Sequence, residues 1–141
     1  MSAPHCLVDT SVLLYAIGAP HPLRDDCAKV LRLLATGEVE GYASVEMIQE
    51  ALHHRLRVSG ARAASVKQCS DIEALVTLLP FDVRVLHRAM ELVKGGGGGV
   101  RGRDAVHAAT ALVYGIDQII STDPAFDRVP DLTRLAPGDL V

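Results

Sequence analysis

Short apolar runs alternate with longer stretches of helical spacing along the whole chain. His5–Val8 and residues 39–43, 79–81 and 119–120 are runs of strand length, and each is followed by polar residues. Runs this short are typical of strands in a parallel sheet that is covered on both faces. Residues 129–135 provide at most one further strand, at an edge of the sheet.

The stretches between these runs carry apolar residues at helical spacing, and Gly37 and Gly115 mark helix ends. Ser44 and Asp82 stand where their side chains can cap a following helix. The predicted helices are residues 12–17, with Thr10 and Ser11 as caps, and residues 22–36, 45–58, 62–78, 83–94 and 104–114.

This alternation predicts an α/β fold with a short parallel sheet of four to five strands, flanked by helices on both faces. The 141 residues match one domain, and a hydrophobic content of 49% is enough to cover a small sheet. We therefore expect a single domain over residues 1–141. Its one interruption is the glycine run at 95–99, which we expect to be a mobile loop because glycine loses the most backbone freedom on ordering.

Composition excludes some classes of protein. The net charge of −3 argues against nucleic-acid binding by overall positive charge, although a local basic rim is still allowed. The cysteines Cys6, Cys27 and Cys69 are odd in number and contain no Cys-x-x-Cys pair, so we expect a reduced, cytoplasmic protein. Residues 10–19 are apolar but lack a preceding basic residue, and no run approaches the roughly 20 residues that span a bilayer. We expect neither a signal peptide nor a membrane segment.

Four acidic residues stand at predicted strand ends or helix edges. Asp9 directly follows the first predicted strand, and Asp123 lies just beyond a later one. Asp104 opens a predicted helix, and Glu50 lies within another. Because ligands of α/β proteins bind outside the carboxyl ends of parallel strands, we expect these carboxylates to gather on one rim of the sheet.

Glu50 belongs to a helix whose expected buried stripe is formed by Val45, Ile48, Leu52 and Leu56. It is adjacent to that stripe, so its carboxylate can reach over the rim of the sheet. Considered alone, this residue is better explained as a solvated helix glutamate.

Clustered carboxylates disfavour one another's ionisation, and a divalent cation relieves that repulsion. Oxygen ligands without a cysteine or histidine pair at ligand spacing favour Mg²⁺ or Mn²⁺ over zinc. Such an ion binds phosphate oxygens and lowers the pKa of a bound water, which suits phosphodiester hydrolysis. Whether one ion or two would act is left open by the sequence.

Basic residues flank these acids. Arg101 and Arg103 surround Asp104 in the sequence and are candidates for holding an RNA backbone. His107, one helical turn after Asp104, is expected to pack or hydrogen-bond locally. A further basic cluster is equally consistent with a solvated helix face and with phosphate contacts, and it comprises His53, His54, Arg55 and Arg57.

Four segments together resemble the motifs of PIN-domain ribonucleases. They are Leu-Val-Asp-Thr-Ser-Val-Leu-Leu-Tyr-Ala at 7–16, the helix around Glu50, Arg-Asp-Ala-Val-His-Ala-Ala-Thr-Ala-Leu at 103–112 and Ile-Ser-Thr-Asp-Pro-Ala-Phe at 120–126. The resemblance covers essentially the whole chain, and its order and spacing are most similar to the toxins of VapBC toxin–antitoxin pairs.

The resemblance implies a PIN-like fold and a Mg²⁺- or Mn²⁺-dependent endoribonuclease that cleaves RNA, such as tRNA or rRNA, and arrests translation and growth. It also implies a cognate antitoxin that occludes the acidic site, and a homodimer. By motif match, Asp9 and Asp104 are the principal metal ligands, and Glu50 and Asp123 complete the acidic pocket. Thr10, Ser11 and Thr122 are expected to hold these carboxylates by hydrogen bonds. The motif assigns no role to the additional acid Asp127.

Other classes of protein fit less well. A phosphotransfer receiver domain requires an adjacent acidic pair early in the chain, whereas Asp9 stands alone. A haloacid-dehalogenase-like phosphatase requires an aspartate two residues after its nucleophile, where this chain has Ser11. The stronger alternative is a catalytically silent PIN-like domain that binds RNA or protein. Loss of metal-dependent cleavage on Asp9→Asn would discriminate between the enzyme and this binding module.

Overall fold

The computed structural model describes residues 2–95 and 100–140. Within those ranges it contains five strands, β1 His5–Val8, β2 Glu40–Ser44, β3 Thr77–Leu79, β4 Gln118–Ile120 and β5 Thr133–Leu135. The helices are α1 Thr10–Ile17, α2 Arg24–Thr36, α3 Val45–Ser59, α4 Arg62–Glu73, α5 Val83–Gly95 and α6 Gly102–Val113, with short 3-10 helices at Pro124–Arg128 and Pro137–Leu140. Apart from Gly95, which ends α5, the predicted glycine loop lies outside the described residues.

All strand pairs are parallel, and the order across the sheet is β3-β2-β1-β4-β5. The chain builds outward from β1 in one direction through β2 and β3, then crosses over to build β4 and β5 on the other side. In an open α/β sheet, the crevice for a ligand forms where the strand order reverses, beyond the carboxyl ends of the two central strands. Here that position lies beyond β1 and β4.

The core consists of two apolar layers, one on each face of the sheet. Leu7 and Ile119 face one layer, and their neighbours Val8 and Ile120 face the other, as expected for side chains that alternate along a strand. All four are fully buried. This confirms the predicted parallel sheet with helices on both faces. No helix in the described part of the chain is long and apolar enough to cross a membrane.

Most predicted caps and ends agree with the structure. Ser44 Oγ accepts the N–H of Met47 at 3.1 Å, and Asp82 Oδ1 accepts the N–H of Val85 at 3.1 Å. Gly37 ends α2 with a φ of 79°, a left-handed conformation that glycine adopts without steric cost. Local sequence therefore determines where these helices begin and end.

Two predictions in the middle of the chain are wrong. The helix predicted for residues 62–78 ends at Glu73, and the strand predicted at 79–81 is β3, two residues earlier. Pro80, directly after Leu79, has no N–H to donate to a neighbouring strand, which is consistent with the end of β3 at Leu79. In α3, the expected core residue Val45 is exposed, and Met47 and Ala51 are buried instead. The chain passes directly from β2 into α3, so the strand sets which face of the helix meets the sheet.

Candidate functional site

Asp9 directly follows β1, and only 8% of this residue is exposed. Two hydroxyl groups donate to its Oδ2, Ser121 Oγ at 2.7 Å and Ser11 Oγ at 3.1 Å. Its backbone N–H donates to the carbonyl of Ile120 at 3.0 Å, which ties the ends of β1 and β4 together. Burial raises the pKa of Asp9, and the hydrogen bonds only partly offset this effect. The fold thus holds a carboxylate where its charge is unfavourable.

Two further acids face Asp9 across the rim. Asp104 lies in the first turn of α6, and its pKa is raised by burial and further by the negative charges of Asp123 and Asp9. Asp123 lies just beyond β4, where its Oδ1 accepts the N–H of Ala125 at 2.9 Å and begins the 3-10 helix. The structure therefore brings these three acids close enough for their charges to affect one another.

Glu50 projects from α3 and is held at the edge of this group. Its Oε1 lies 3.1 Å from Nε2 of His107 and 3.5 Å from Nε of Arg103, and its Oε2 accepts the hydroxyl of Thr10 at 3.4 Å. Burial raises the pKa of Glu50, but the His107 hydrogen bond and the positive charges of His107 and Arg103 outweigh it, so the pKa is lowered overall. Glu50 is therefore ionised and engaged with cationic neighbours.

His107 is buried on the inner face of α6 and contacts the acidic site through one nitrogen. Among the described residues, its Nδ1 is also buried and has no hydrogen-bond partner. Nε2 of His107 is therefore the nitrogen that donates to Glu50. His107 packs in the core as expected, but its hydrogen bond reaches Glu50 on α3, one of the four acids, rather than a local partner.

Three arginines line the cavity that opens over Asp104 and Asp123. This carboxylate cavity has a volume of about 580 Å³, and Arg101, Arg103 and Arg128 form its basic walls. Arg101 lowers the pKa of Asp104, which partly opposes the effect of the neighbouring acids. A negative overall charge is thus compatible with a positive rim around an acidic centre.

The hydroxyls around the acids differ in part from those expected by motif match. Ser11 contacts Asp9 and Thr10 contacts Glu50, whereas Thr122 donates its backbone N–H to Ser11 Oγ at 3.5 Å. The hydroxyl that sequence reasoning missed is that of Ser121, which is fully buried and also accepts the N–H of Asp123 at 3.0 Å. The sequence did contain a signal for Ser121, because this residue directly follows β4, at the edge of the sheet where the acids gather.

Because Thr10 and Ser11 turn toward the acids, they do not cap α1 as predicted. The helix begins at Thr10, and Asp9 is its N-cap residue without a capping hydrogen bond from its side chain. The Asp9 carboxylate instead accepts hydrogen bonds from Ser11 and Ser121. The hydroxyls of Thr10 and Ser11, which could have capped the helix, instead hold the carboxylates of Glu50 and Asp9 in place.

Asp127 lies beside the site and forms an ion pair that stabilises the loop there. Its carboxylate pairs with Arg134 of β5 through two hydrogen bonds of 3.0 and 3.2 Å, and Arg134 Nη1 donates to the carbonyl of Ser121 at 3.0 Å. This pairing joins β5 to the segment that carries Ser121 and Asp123. Asp127 thus stabilises the loop that carries Asp123, and its carboxylate is paired with Arg134.

The donors on this rim are carboxylate oxygens, and burial together with their mutual repulsion raises the pKa of Asp104. That chemistry fits a hard divalent cation, which takes oxygen ligands. In residues 2–95 and 100–140, no three side chains of His, Cys, Asp or Glu lie close enough together to form a complete metal cage. Mg²⁺ held by one or two carboxylates keeps several waters, so the donor set still suits it.

Comparison with known proteins identifies relatives along nearly the whole chain. A model of the PIN domain family matches residues 6–132. Ribonuclease VapC7 of Mycobacterium tuberculosis is 32% identical over 132 residues, which cover 93% of this chain and 90% of that protein.

Solved structures share the fold. VapBC2 from Rickettsia felis, crystallised with a DNA fragment from its promoter, has a TM-score of 0.74 at 16% identity and covers 94% of this chain and 98% of its own. VapC20 of Mycobacterium tuberculosis, described as a sarcin-ricin loop cleaving toxin, has a TM-score of 0.69 at 20% identity and covers 86% of this chain and 92% of its own. At these identities the likeness concerns the fold alone.

Proposed function

This chain belongs to the PIN domain family, and on that premise we propose that it is a metal-dependent endoribonuclease, the toxin of a toxin–antitoxin pair. The observation that carries the proposal is the group of Asp9, Asp104 and Asp123 at the switch point of the parallel sheet, within a rim of arginines. Cleavage of a polyanionic substrate uses both the arginines and the acids. The arginines bind its phosphates, and the acids lie where one phosphate would be cleaved.

The proposed metal ligands are Asp9 and Asp104, with Asp123 and Glu50 completing the pocket. Mg²⁺ or Mn²⁺, when bound, would lower the pKa of a water and neutralise charge on the phosphate in the transition state. Ser11 and Ser121 orient the Asp9 carboxylate through Oδ2.

The positive groups have separate proposed tasks. Arg101 and Arg103 lie on the wall of the carboxylate cavity, where their guanidinium groups can donate to phosphate oxygens. Arg103 also lies 3.5 Å from Glu50, so RNA binding would compete with that ion pair. His107 holds Glu50 from the buried side and keeps its carboxylate at the edge of the site.

The relatives support a more specific setting. Because VapBC structures resemble this chain, we propose that a cognate antitoxin protein covers the acidic site until the toxin is released. Released toxin would cut tRNA or rRNA and so stop translation and growth. We place this activity in the cytoplasm, whose reducing conditions suit the free, buried cysteines Cys6, Cys27 and Cys69.

We also propose that the protein is a homodimer that associates through α5. A stripe of exposed apolar residues runs along this helix at spacings of three and four, and it consists of Val83, Leu86, Met90 and Val93. Contiguous exposed apolar stripes of this kind mark protein interfaces. None of the four stripe residues lines the carboxylate cavity.

Met90→Glu is expected to convert the dimer into a monomer, because it introduces an unpaired charge at the centre of the apolar stripe. Light scattering should report about twice the chain mass of 15.0 kDa for the wild type and the chain mass for the variant. Val66→Glu is the matched control, since Val66 on α4 is 54% exposed and Met90 is 60% exposed. A Met90→Glu protein that stays dimeric, or a wild type that is monomeric at all concentrations, would rule out this interface.

A catalytically silent module is the second candidate, and one observation favours it. Within the described residues, the acids do not form a complete metal cage. RNA cleavage in the presence and absence of metal distinguishes the enzyme from the binding module. The enzyme cuts RNA in Mg²⁺ or Mn²⁺ and stops in a chelator, whereas the module binds RNA or protein and leaves RNA intact with every metal.

A further inference from the structure

Three neighbouring cavities, which we call the trough, share lining residues, and the first of them opens over Asp104 and Asp123. The carboxylate cavity shares Arg103 with a middle cavity of about 290 Å³. The middle cavity shares Leu14 and His54 with a third cavity of about 480 Å³, which we call the apolar cavity. Ser11, whose hydroxyl donates to Asp9, also lines the apolar cavity. The apolar cavity therefore lies beside Asp9 through Ser11.

The apolar cavity differs in chemistry from the rest of the trough. Its walls are largely carbon, with contributions from Leu14, Pro20 and Val58. Tyr15 also lines it and stacks on His21 with ring centroids 4.4 Å apart and an interplanar angle of 30°. The volume falls within the range of about 300–1,000 Å³ that is usual for small-molecule sites. Tyr15 and His21 thus give the cavity an aromatic edge beside its aliphatic walls.

The middle cavity supplies positive charge between the two ends. Arg57 and Arg103 line it together with Glu50. A ligand that reaches from the acids to the apolar cavity must therefore pass a basic segment. An RNA strand has this pattern, because phosphates alternate with bases along its length.

We propose that the apolar cavity is a nucleobase subsite, which holds an unpaired base of the RNA strand whose neighbouring phosphate lies at the acids. This inference rests on the proposed function and adds to it a site for one unpaired base, which must leave its stack to enter the cavity. Phosphates on either side of that base would contact Arg57 and Arg103.

His54 supplies the polar contact that a base requires. Burial lowers the pKa of His54, and the positive charges of Arg57 and Arg55 lower it further. The imidazole is therefore neutral at physiological pH, and a ring nitrogen that faces the cavity acts as a donor or as an acceptor. Its Nδ1 is buried and has no hydrogen-bond partner among the described residues, so that nitrogen is not the one that meets a ligand. The carbon walls supply stacking, and His54 supplies a directional contact.

The test compares Val58→Trp with Val66→Trp. Val58 lines the apolar cavity and is 61% exposed, so an indole there should fill the cavity without disturbing the core. Val66 on α4 is 54% exposed and lines none of the three cavities. The probes are adenosine 5′-monophosphate, uridine 5′-monophosphate and inorganic phosphate. Binding is followed by amide chemical shifts of isotope-labelled protein in EDTA, so this readout needs no catalysis.

Both nucleotides, but not inorganic phosphate, are expected to shift the amides of Leu14, Tyr15 and His54. Val58→Trp should weaken nucleotide binding roughly 5- to 150-fold, the range for the loss of one base–aromatic stack, and should raise the KM for RNA in the same direction. Val66→Trp should behave as the wild type. Should Val58→Trp fail to fold by circular dichroism, Tyr15→Leu serves as the second variant, with the same expectation.

Two results would overturn the subsite. One is an identical shift pattern with inorganic phosphate, which indicates a phosphate site only. The other is nucleotide binding and a KM for RNA that are unchanged in Val58→Trp. The proposed function fails separately, if the wild type leaves RNA intact with every metal. In that case the nucleotide shifts still decide whether the cavity binds a base.

Discussion

Asp9→Asn is expected to reduce RNA cleavage at least about 100-fold while it makes the folded protein more stable. The substitution keeps the shape of the side chain, and its amide oxygen can still accept the hydroxyls of Ser11 and Ser121. It removes a buried charge that the proposed metal requires. A gain in stability with a loss of activity is typical of residues whose placement serves function.

The pH dependence of stability follows from the raised pKa of Asp9. Burial raises this pKa above its ordinary value of 3.8, so the folded protein holds the Asp9 proton more tightly than the unfolded chain does. The contribution of Asp9 to stability is therefore fully present below pH 3.8 and is lost as the pH rises through the raised folded-state pKa. Denaturant unfolding in EDTA should show Asp9→Asn to be more stable than the wild type at pH 7, with a difference that shrinks toward pH 3.

The matched control is Asp71→Asn, which alters an exposed acid on α4 that pairs with Lys67. Surface pairs of this kind contribute little, so both cleavage and stability should stay near the wild-type values. A fully active Asp9→Asn protein would contradict the assigned role of Asp9. A variant less stable than the wild type at pH 7 would contradict the view that its charge is unfavourable.

Phe126→Ala should lower the free energy of unfolding by about 3–5 kcal/mol, the usual cost of emptying a buried phenylalanine site. Phe126 is 1% exposed and lies in the 3-10 helix directly after Asp123, in the same core layer as Ala105 of α6. Small domains are stable by only about 5–15 kcal/mol, so this loss is a large share of the total. The melting temperature should fall by roughly 6–20 °C.

The chain offers a matched control because it contains two phenylalanines. Phe81 is 40% exposed, so Phe81→Ala leaves no closed cavity and should change stability far less than Phe126→Ala. Thermal and denaturant unfolding of both variants measure the difference. Equal losses in the two would show that Phe126 does not anchor the segment that carries Asp123.

The two central strands, β1 and β4, and three of the acids could be located from the sequence. Asp9 directly follows one short apolar run, and Asp123 closely follows another. A residue that follows a strand in the sequence lies beyond the carboxyl end of that strand, so the sequence places both carboxylates at that edge of the sheet. The helix position of Asp104 follows from the apolar spacing of α6 and the stop at Gly115. Each of these predictions depends on local pattern alone.

Contacts between distant segments could not be predicted in this way. The Ser121 hydroxyl reaches Asp9 across 112 positions of sequence, and His107 reaches Glu50 across 57. The pairing of Asp127 with Arg134 depends on how β5 lies beside the 3-10 helix. The rotation of α3, which buries Met47 and exposes Val45, is likewise set by tertiary packing. Helical spacing shows that a face is apolar, but packing decides which residue lies at its centre.

The measurement that tests the account most directly is cleavage of an RNA pool that contains tRNAs and rRNAs, by wild type and Asp104→Asn, in Mg²⁺, Mn²⁺ or EDTA. Asp104 faces Asp9 and Asp123 across the rim, and its amide variant keeps the side-chain shape. We expect discrete fragments from the wild type with either metal, and intact RNA with EDTA or with Asp104→Asn. Fragments that persist in EDTA, or that Asp104→Asn also produces, would contradict a metal-dependent site built on these acids.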